Sequence, residues 1–224
     1  MNMRISILLA TLSFILVLFS SCNIAYAKES DIGQSQIHPA HPLYFLKTVR
    51  EILELKFAKT DHLKVLRYLE FSTRRIREVN SLVAKNSPDL IAATLERYWI
   101  NFDKLNGLAN AADQTLMTLI AENISRHITS LEVAYSQVND KRAKMAIRLT
   151  VNRLSEENII LMGKIKKVSK DLANLPSSES FKKIILNQRS LCDILVKQAS
   201  ESALNDVEKV VLKDRAEKCF DSLR

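Results

Sequence analysis

The chain has 224 residues, 33 Lys and Arg against 25 Asp and Glu, a formal net charge of +8, and only 3 glycines and 4 prolines. So little Gly and Pro argues against a hairpin-rich β fold, which needs them at its turns, and for long helices. A chain of this length can bury a core without metal or disulfide staples. Its moderate excess of base suits a solvated helical surface or attraction to an acidic one, and no recognised nucleic-acid-binding motif accompanies it.

Arg4 stands in a short polar start, and Ile5 to Phe19 then runs without charge. That run is about 15 residues, short of the roughly 20 that span a bilayer as a helix. With Ala25-Tyr26-Ala27 after it, residues 1–27 read as a secretory signal peptide cut after Ala27. Phe19-Ser20-Ser21-Cys22 offers a rival exit, a lipoprotein box that would acylate Cys22. An uncleaved anchor is the third reading. Losing the first 27 residues removes one base, Arg4, and no acid, so the mature chain stays basic. The expected location is extracytoplasmic, periplasmic or secreted, with lipid anchorage through Cys22 as the alternative.

Residues 28–41 are polar, hold Gly33 and Pro39, and read as a flexible lead-in. Pro42 is expected at the first position of a helix, where its missing N–H costs nothing, and Leu43, Leu46, Val49, Ile52 and Leu53 give that helix an apolar face. Thr60 or Asp61 caps a second helix with the stripe Val65, Leu69, Ile76, Val79 and Val83. Ser87-Pro88-Asp89 stops it and starts a third, with Ser87 as N-cap. Ile91, Leu95, Tyr98, Phe102 and Leu105 alternate steps of four and three, the seam of a helix packed at a shallow angle in a bundle.

Asn106-Gly107 can end the third helix, and Asp113 can cap a fourth with Met117, Ile120, Ile124, Leu131 and Val138 inward. After Asn139-Asp140, a long fifth helix carries Ile147, Val151, Leu154, Leu161, Ile165 and Val168. Asn158 sits on its apolar line, where an amide can fix helix register. Pro176 ends it, and two further helices, about 179–199 and 206–220, form a C-terminal hairpin. The expected fold is therefore all-α: a bundle of long antiparallel helices over residues 42–175, with the hairpin 176–224 packed on it.

If the signal is cut after Ala27, Cys192 and Cys219 are the two cysteines that remain, in a compartment that favours oxidation. A turn near 202–205 places them level on antiparallel helices, within reach of a disulfide.

The other candidate chemistry is thin. His38 and His41 flank Pro39-Ala40 and are weak metal candidates, since a zinc site wants three or four ligands. His62 lies at a helix start. His127, at the edge of the fourth stripe, reads as a half-buried, hydrogen-bonded side chain. No histidine has a Glu three residues before it, and Glu156 and Glu157 point about 100° apart on a helix, which argues against a di-iron bundle. Phosphate-loop, nucleophile-elbow and zinc-protease motifs are absent. No enzyme and no cofactor are expected.

Lys164, Lys166, Lys167 and Lys170 make the end of the fifth helix basic. They suit the helix dipole and are the candidate contact for an anionic membrane surface. Tyr98 and Phe102 read as core, and Trp99 as bundle edge or partner surface.

His38 to Glu51 reads His-Pro-Ala-His-Pro-Leu-Tyr-Phe-Leu-Lys-Thr-Val-Arg-Glu. The stretch resembles the opening segment of an uncharacterised bacterial extracytoplasmic helical domain family. Pro39, Pro42, Leu43, Tyr44, Leu46 and Lys47 carry the likeness. Arg75-Ile76-Arg77-Glu78 is similar to that family's second element, and Lys85 to Leu90 to its turn. The resemblance covers about residues 38–108 and implies an exported helical module with no assigned activity. Arg75 and Glu78 are expected to pair on the helix surface, Leu43 and Leu46 to pack, and Tyr44 to bury its ring with its hydroxyl in water. Tyr44, Arg75, Glu78 and Trp99 are the candidate partner surface. The resulting expectation is an exported interaction or scaffold protein of the bacterial envelope, binding an envelope protein of unknown identity. The alternatives are a ligand or metal sensor, or a peripheral membrane-binding protein.

Overall fold

Apolar residues at helical spacing become helices throughout. In the computed structural model these are α1 (Tyr44–Phe57), α2 (Asp61–Ala84), α3 (Ile91–Ala109), α4 (Gln114–Gln137), α5 (Lys141–Asp171), α6 (192–199) and α7 (Asp206–Asp221), with a 3-10 turn at Pro88–Leu90. The structure describes residues 32–109, 114–171, 189, 192–200, 204 and 206–221, with the side chains of 114 and 166–171 outside that description. The signal segment with Cys22, the Asp113 cap and most of residues 172–191 therefore lie outside the described residues, as does the side chain of Val168. Among the described residues there is no strand.

Four helices build the core. α2 packs on α3 and on α4, and α5 packs on the same two, so the four close a ring. Short connections after α2 and α4 make those neighbours antiparallel. The third-helix seam is buried throughout, from Ile91 to Leu105, against Val65, Leu69, Ile76 and Val79 of α2, Ile120, Ile124 and Leu131 of α4, and Ile147, Val151 and Leu154 of α5. Asn158 is buried on the apolar line of α5 as expected. These residues belong to the compact unit Ile32–Arg224.

The helix ends follow the sequence reading in part and depart from it elsewhere. Thr60 caps α2, its hydroxyl accepting from Leu63 N–H at 3.2 Å. Asp140 caps α5 by accepting from Ala143 N–H at 2.8 Å. At the other end of α2 the stop is made by Asn86. It takes a left-handed φ of 52° and donates to Val83 O at 3.0 Å, while Ser87 N–H donates to Leu82 O at 2.9 Å. That paired closure is a Schellman motif, with Asn in the usual place of Gly. Ser87 makes no side-chain cap. Pro42 lies outside α1, which begins at Tyr44, and Gly107 sits inside α3. A single glycine in a helix costs only about 1 kcal/mol, which packing on both sides overrides.

The lead-in from Ile32 onward is bound to α2 rather than loose. Ile32 is buried, and its carbonyl accepts from Arg77 Nε at 2.9 Å. Gly33, at φ 73°, turns the chain so that its carbonyl accepts from Asn80 at 3.0 Å, and Ser35 N–H donates to Ser81 Oγ at 2.7 Å.

Cys192 and Cys219 form a disulfide, with Cα atoms 5.5 Å apart. Both are fully buried in the main core. The bond ties α6 to α7, which is also held to α5 by Arg148–Glu208 at 2.9 Å and Arg215–Glu156 at 2.6 Å.

Candidate functional site: the first helix turned inside out

The first helix buries none of its residues. Its apolar face looks outward: Phe45 and Ile52 are each 61 % exposed and Phe57 71 %, with Leu43, Leu46, Val49 and Leu53 also exposed. The expectation that Leu43 and Leu46 pack into the protein is therefore wrong. The opposite face, carrying Tyr44, Lys47, Glu51 and Glu54, lies against α2.

The reason is the partner it meets. The facing side of α2 carries Glu70, Arg74, Arg75 and Glu78, and charged groups taken from water need charged partners. Glu78 is wholly buried, with Arg75 Nη1 at 3.0 Å, Lys47 Nζ at 2.5 Å and the Tyr44 hydroxyl at 3.1 Å. Arg75 bonds Tyr44 and Glu51 as well. Arg74 reaches Glu54 at 2.9 Å, Glu70 at 3.2 Å and Glu51 at 3.6 Å. Lys47 also donates to Ser35 Oγ at 3.2 Å and Ile37 O at 3.3 Å, which brings the lead-in into the network. Arg97 of α3 lies over the Tyr44 ring at 5.3 Å.

Burial sets the proton affinities here. It pushes the Lys47 ammonium below the usual lysine range, against the pull of Glu78. It raises the Glu51 carboxyl, against Arg75 and Arg74. It raises the Tyr44 hydroxyl too, with Glu78 adding to the effect. A network of this kind orients a helix more than it glues it, because desolvation offsets much of the attraction.

The sequence reading identified Tyr44, Arg75 and Glu78 but placed them wrongly. Arg75 and Glu78 do pair at i, i+3, yet they are buried, and the Tyr44 hydroxyl points at Glu78 rather than into water. Arg75 and Glu78 are closed off from any partner surface, and Tyr44 is half-buried over them. Trp99 is half-buried at the α3–α5 edge, under the Arg153 guanidinium at 3.9 Å, with Nε1 directed at Thr150 Oγ1 at 3.4 Å. Glu51, Glu54 and Arg74 were not singled out, and Lys47 only as part of the family likeness. Their signal was a polar stripe on α1 matched by a charged stripe on α2.

A second polar constellation lies inside the bundle. Thr73 Oγ1 sits 3.0 Å from Leu69 O, to which it donates, and 2.9 Å from His127 Nε2. With its proton so used, Thr73 accepts from Nε2–H. His127 Nδ1 is then the acceptor for the Tyr98 hydroxyl at 3.0 Å. His127 is wholly buried rather than half-buried, and burial, with Arg126 and Arg77 adding to it, lowers its pKa to about 3. The Tyr98 hydroxyl is pushed well up by burial, which keeps it a donor. The chain of bonds joins α2, α3 and α4 through a neutral imidazole.

His38 is buried, not solvated, with Nε2 2.7 Å from Lys85 Nζ, and burial lowers its pKa. His41 Nδ1 accepts from Leu43 N–H at 3.1 Å. Among the described residues no group of three His, Cys, Asp or Glu could hold a metal ion, and no helix is long and apolar enough to cross a membrane. Lys164 is exposed on α5. The side chains of Lys166, Lys167 and Lys170 lie outside the described residues.

The span that carries both constellations has a counterpart among known families. Residues 36–141 match the family model of a domain of unknown function, DUF5667. The matched domain runs from the lead-in to the first residue of α5, and so holds the ion pairs between α1 and α2 and the His127 chain. It extends well past residue 108, where the resemblance read from the sequence stopped. No curated protein and no solved structure matches the chain.

Proposed function

We propose that this is an exported, non-enzymatic helical interaction or scaffold protein of the bacterial cell envelope, with α1 as its docking element. One observation carries the reading: α1 spends its polar face inside the protein and offers its apolar face outside. Contiguous exposed apolar surface on a helix marks a binding site more often than chance exposure. The Arg75–Glu78–Glu51 network supports it, since it holds α1 in an orientation that burial of apolar surface alone would reverse. The signal-like residues 1–27 and the Cys192–Cys219 bond support export into an oxidising compartment.

The test is site-specific photocross-linking in the intact envelope, with the reactive side chain at position 49 or 52, and at exposed Glu217 of α7 for comparison. The expected result is strong adducts at 49 and 52 and little at 217. Equal, weak labelling at all three would overturn the docking role.

A further inference from the structure

We propose that the outer face of α1 seats on a membrane surface containing anionic lipid, as a helix lying in the interface plane. The inference rests on the docking reading and names the occupant. At 3.6 residues per turn, Phe45, Leu46, Val49, Ile52, Leu53 and Phe57 share an arc of about 140° centred near Val49, opposite the arc of Tyr44, Lys47, Glu51 and Glu54. The helix has no acid on its outward arc: Glu51 and Glu54 are turned inward to Arg74 and Arg75. Lys56 and Lys59 are exposed at its end.

Aromatic and branched side chains on one face, with lysines beside them, are the signature of an interfacial helix. Lys56 falls on the apolar arc. Its stem can lie along that surface while the ammonium reaches headgroup phosphates, whereas a dry protein groove would strip it of water. A second copy is disfavoured by like charge, because the protein carries a net charge of +8. The apolar run Ile5 to Phe19, which reads as an export signal, would send the chain across a membrane.

The test is flotation of the chain beginning at Lys28 with phosphatidylcholine vesicles, with and without phosphatidylglycerol. The described core lies within Ile32–Arg224, and circular dichroism of each variant verifies that it stays folded. The chain is expected to float with the anionic vesicles, far less with the neutral ones, and less as salt rises. Phe45→Asp with Ile52→Asp lowers partitioning at least about tenfold. Lys56→Gln with Lys59→Gln lowers it roughly 20- to 30-fold, from about 1 kcal/mol for each lysine near an anionic surface. Lys164→Gln leaves it unchanged.

No flotation with either vesicle, or equal flotation of the Phe45/Ile52 variant, overturns the proposal. A concentration-dependent dimer that this variant abolishes, with no flotation, assigns the face to a second copy instead. Failed flotation alongside intact cross-links at 49 and 52 leaves the docking role standing with a protein occupant. Loss of both removes both.

Discussion

Replacing His127 by Gln should flatten the acid side of the stability curve. In the folded chain the imidazole is neutral, giving one N–H to Thr73 and taking one O–H from Tyr98. Charging it would put a proton on Nδ1, facing a Tyr98 hydroxyl that is itself a donor, in a site where burial disfavours the charge first and Arg126 and Arg77 add to that. Its pKa is lowered from 6.5 to about 3. The unfolded chain therefore binds the proton first. The histidine's contribution is complete above about pH 6.5 and is lost as pH falls toward 3, at about 1.4 kcal/mol per pH unit between those limits. Between pH 8 and pH 5 the loss is about 2 kcal/mol. Gln keeps an amide donor and a carbonyl acceptor for the same partners but does not titrate. Urea melts of both chains at pH 8 and pH 5 give the difference of differences, in which carboxylates common to both cancel. The parent is expected to lose about 2 kcal/mol more than the variant over that interval. Parallel losses within about 0.5 kcal/mol would refute the neutral buried imidazole.

Three other perturbations follow from the packing. Glu78→Gln strands Lys47 and Arg75 beside Glu51 alone and should cost about 3–5 kcal/mol, part of which Lys47→Met recovers in a double-mutant cycle; additive single effects would mean the two do not interact. Replacing Cys192 and Cys219 by Ser opens a loop with a sequence separation of 27 and should cost about 3.5 kcal/mol in denaturant melts, while thiol counting on the unreduced, denatured chain from Lys28 should find no free thiol. Phe102→Ala, in the buried seam of α3, should cost about 3–5 kcal/mol, and a change within about 0.5 kcal/mol would mean α3 is not packed as described.

The bundle was legible because its helices obey one rule. Each stripe from α2 to α5 repeats at helical spacing, and residues such as Leu95, Phe102, Ile124 and Leu154 went where hydrophobicity sends them. The disulfide was legible from the level placement of two cysteines across one turn. The first helix was not, because the same rule points Leu43, Leu46 and Val49 inward. What overrides it is a set of long-range ion pairs, Glu51 and Lys47 with Arg75 and Glu78, and a single helix's periodicity carries no information about its partner's charges. His127 was misjudged for a related reason. Its position on the stripe edge was visible, but full burial depends on Thr73 and Tyr98 arriving from two other helices to satisfy both ring nitrogens. The turn at Asn86 rests on a left-handed residue that is not glycine, whereas Ser87-Pro88 beside it carries the stronger sequence signal for a stop.

The orientation of α1 decides the docking role, and thiol reactivity reads it directly. In the purified chain from Lys28, the native cysteines are held in their disulfide, so one introduced thiol reports alone. Val49→Cys replaces a side chain that is 49 % exposed at the centre of the outer arc, and Ala58→Cys one that is 6 % exposed at the end of the same helix. Labelling by a water-soluble maleimide under native conditions should be fast at 49, near the rate of the denatured chain, and strongly protected at 58. Protection at 49 equal to that at 58 would mean the apolar face is buried after all, and would contradict the inverted helix and the docking role built on it.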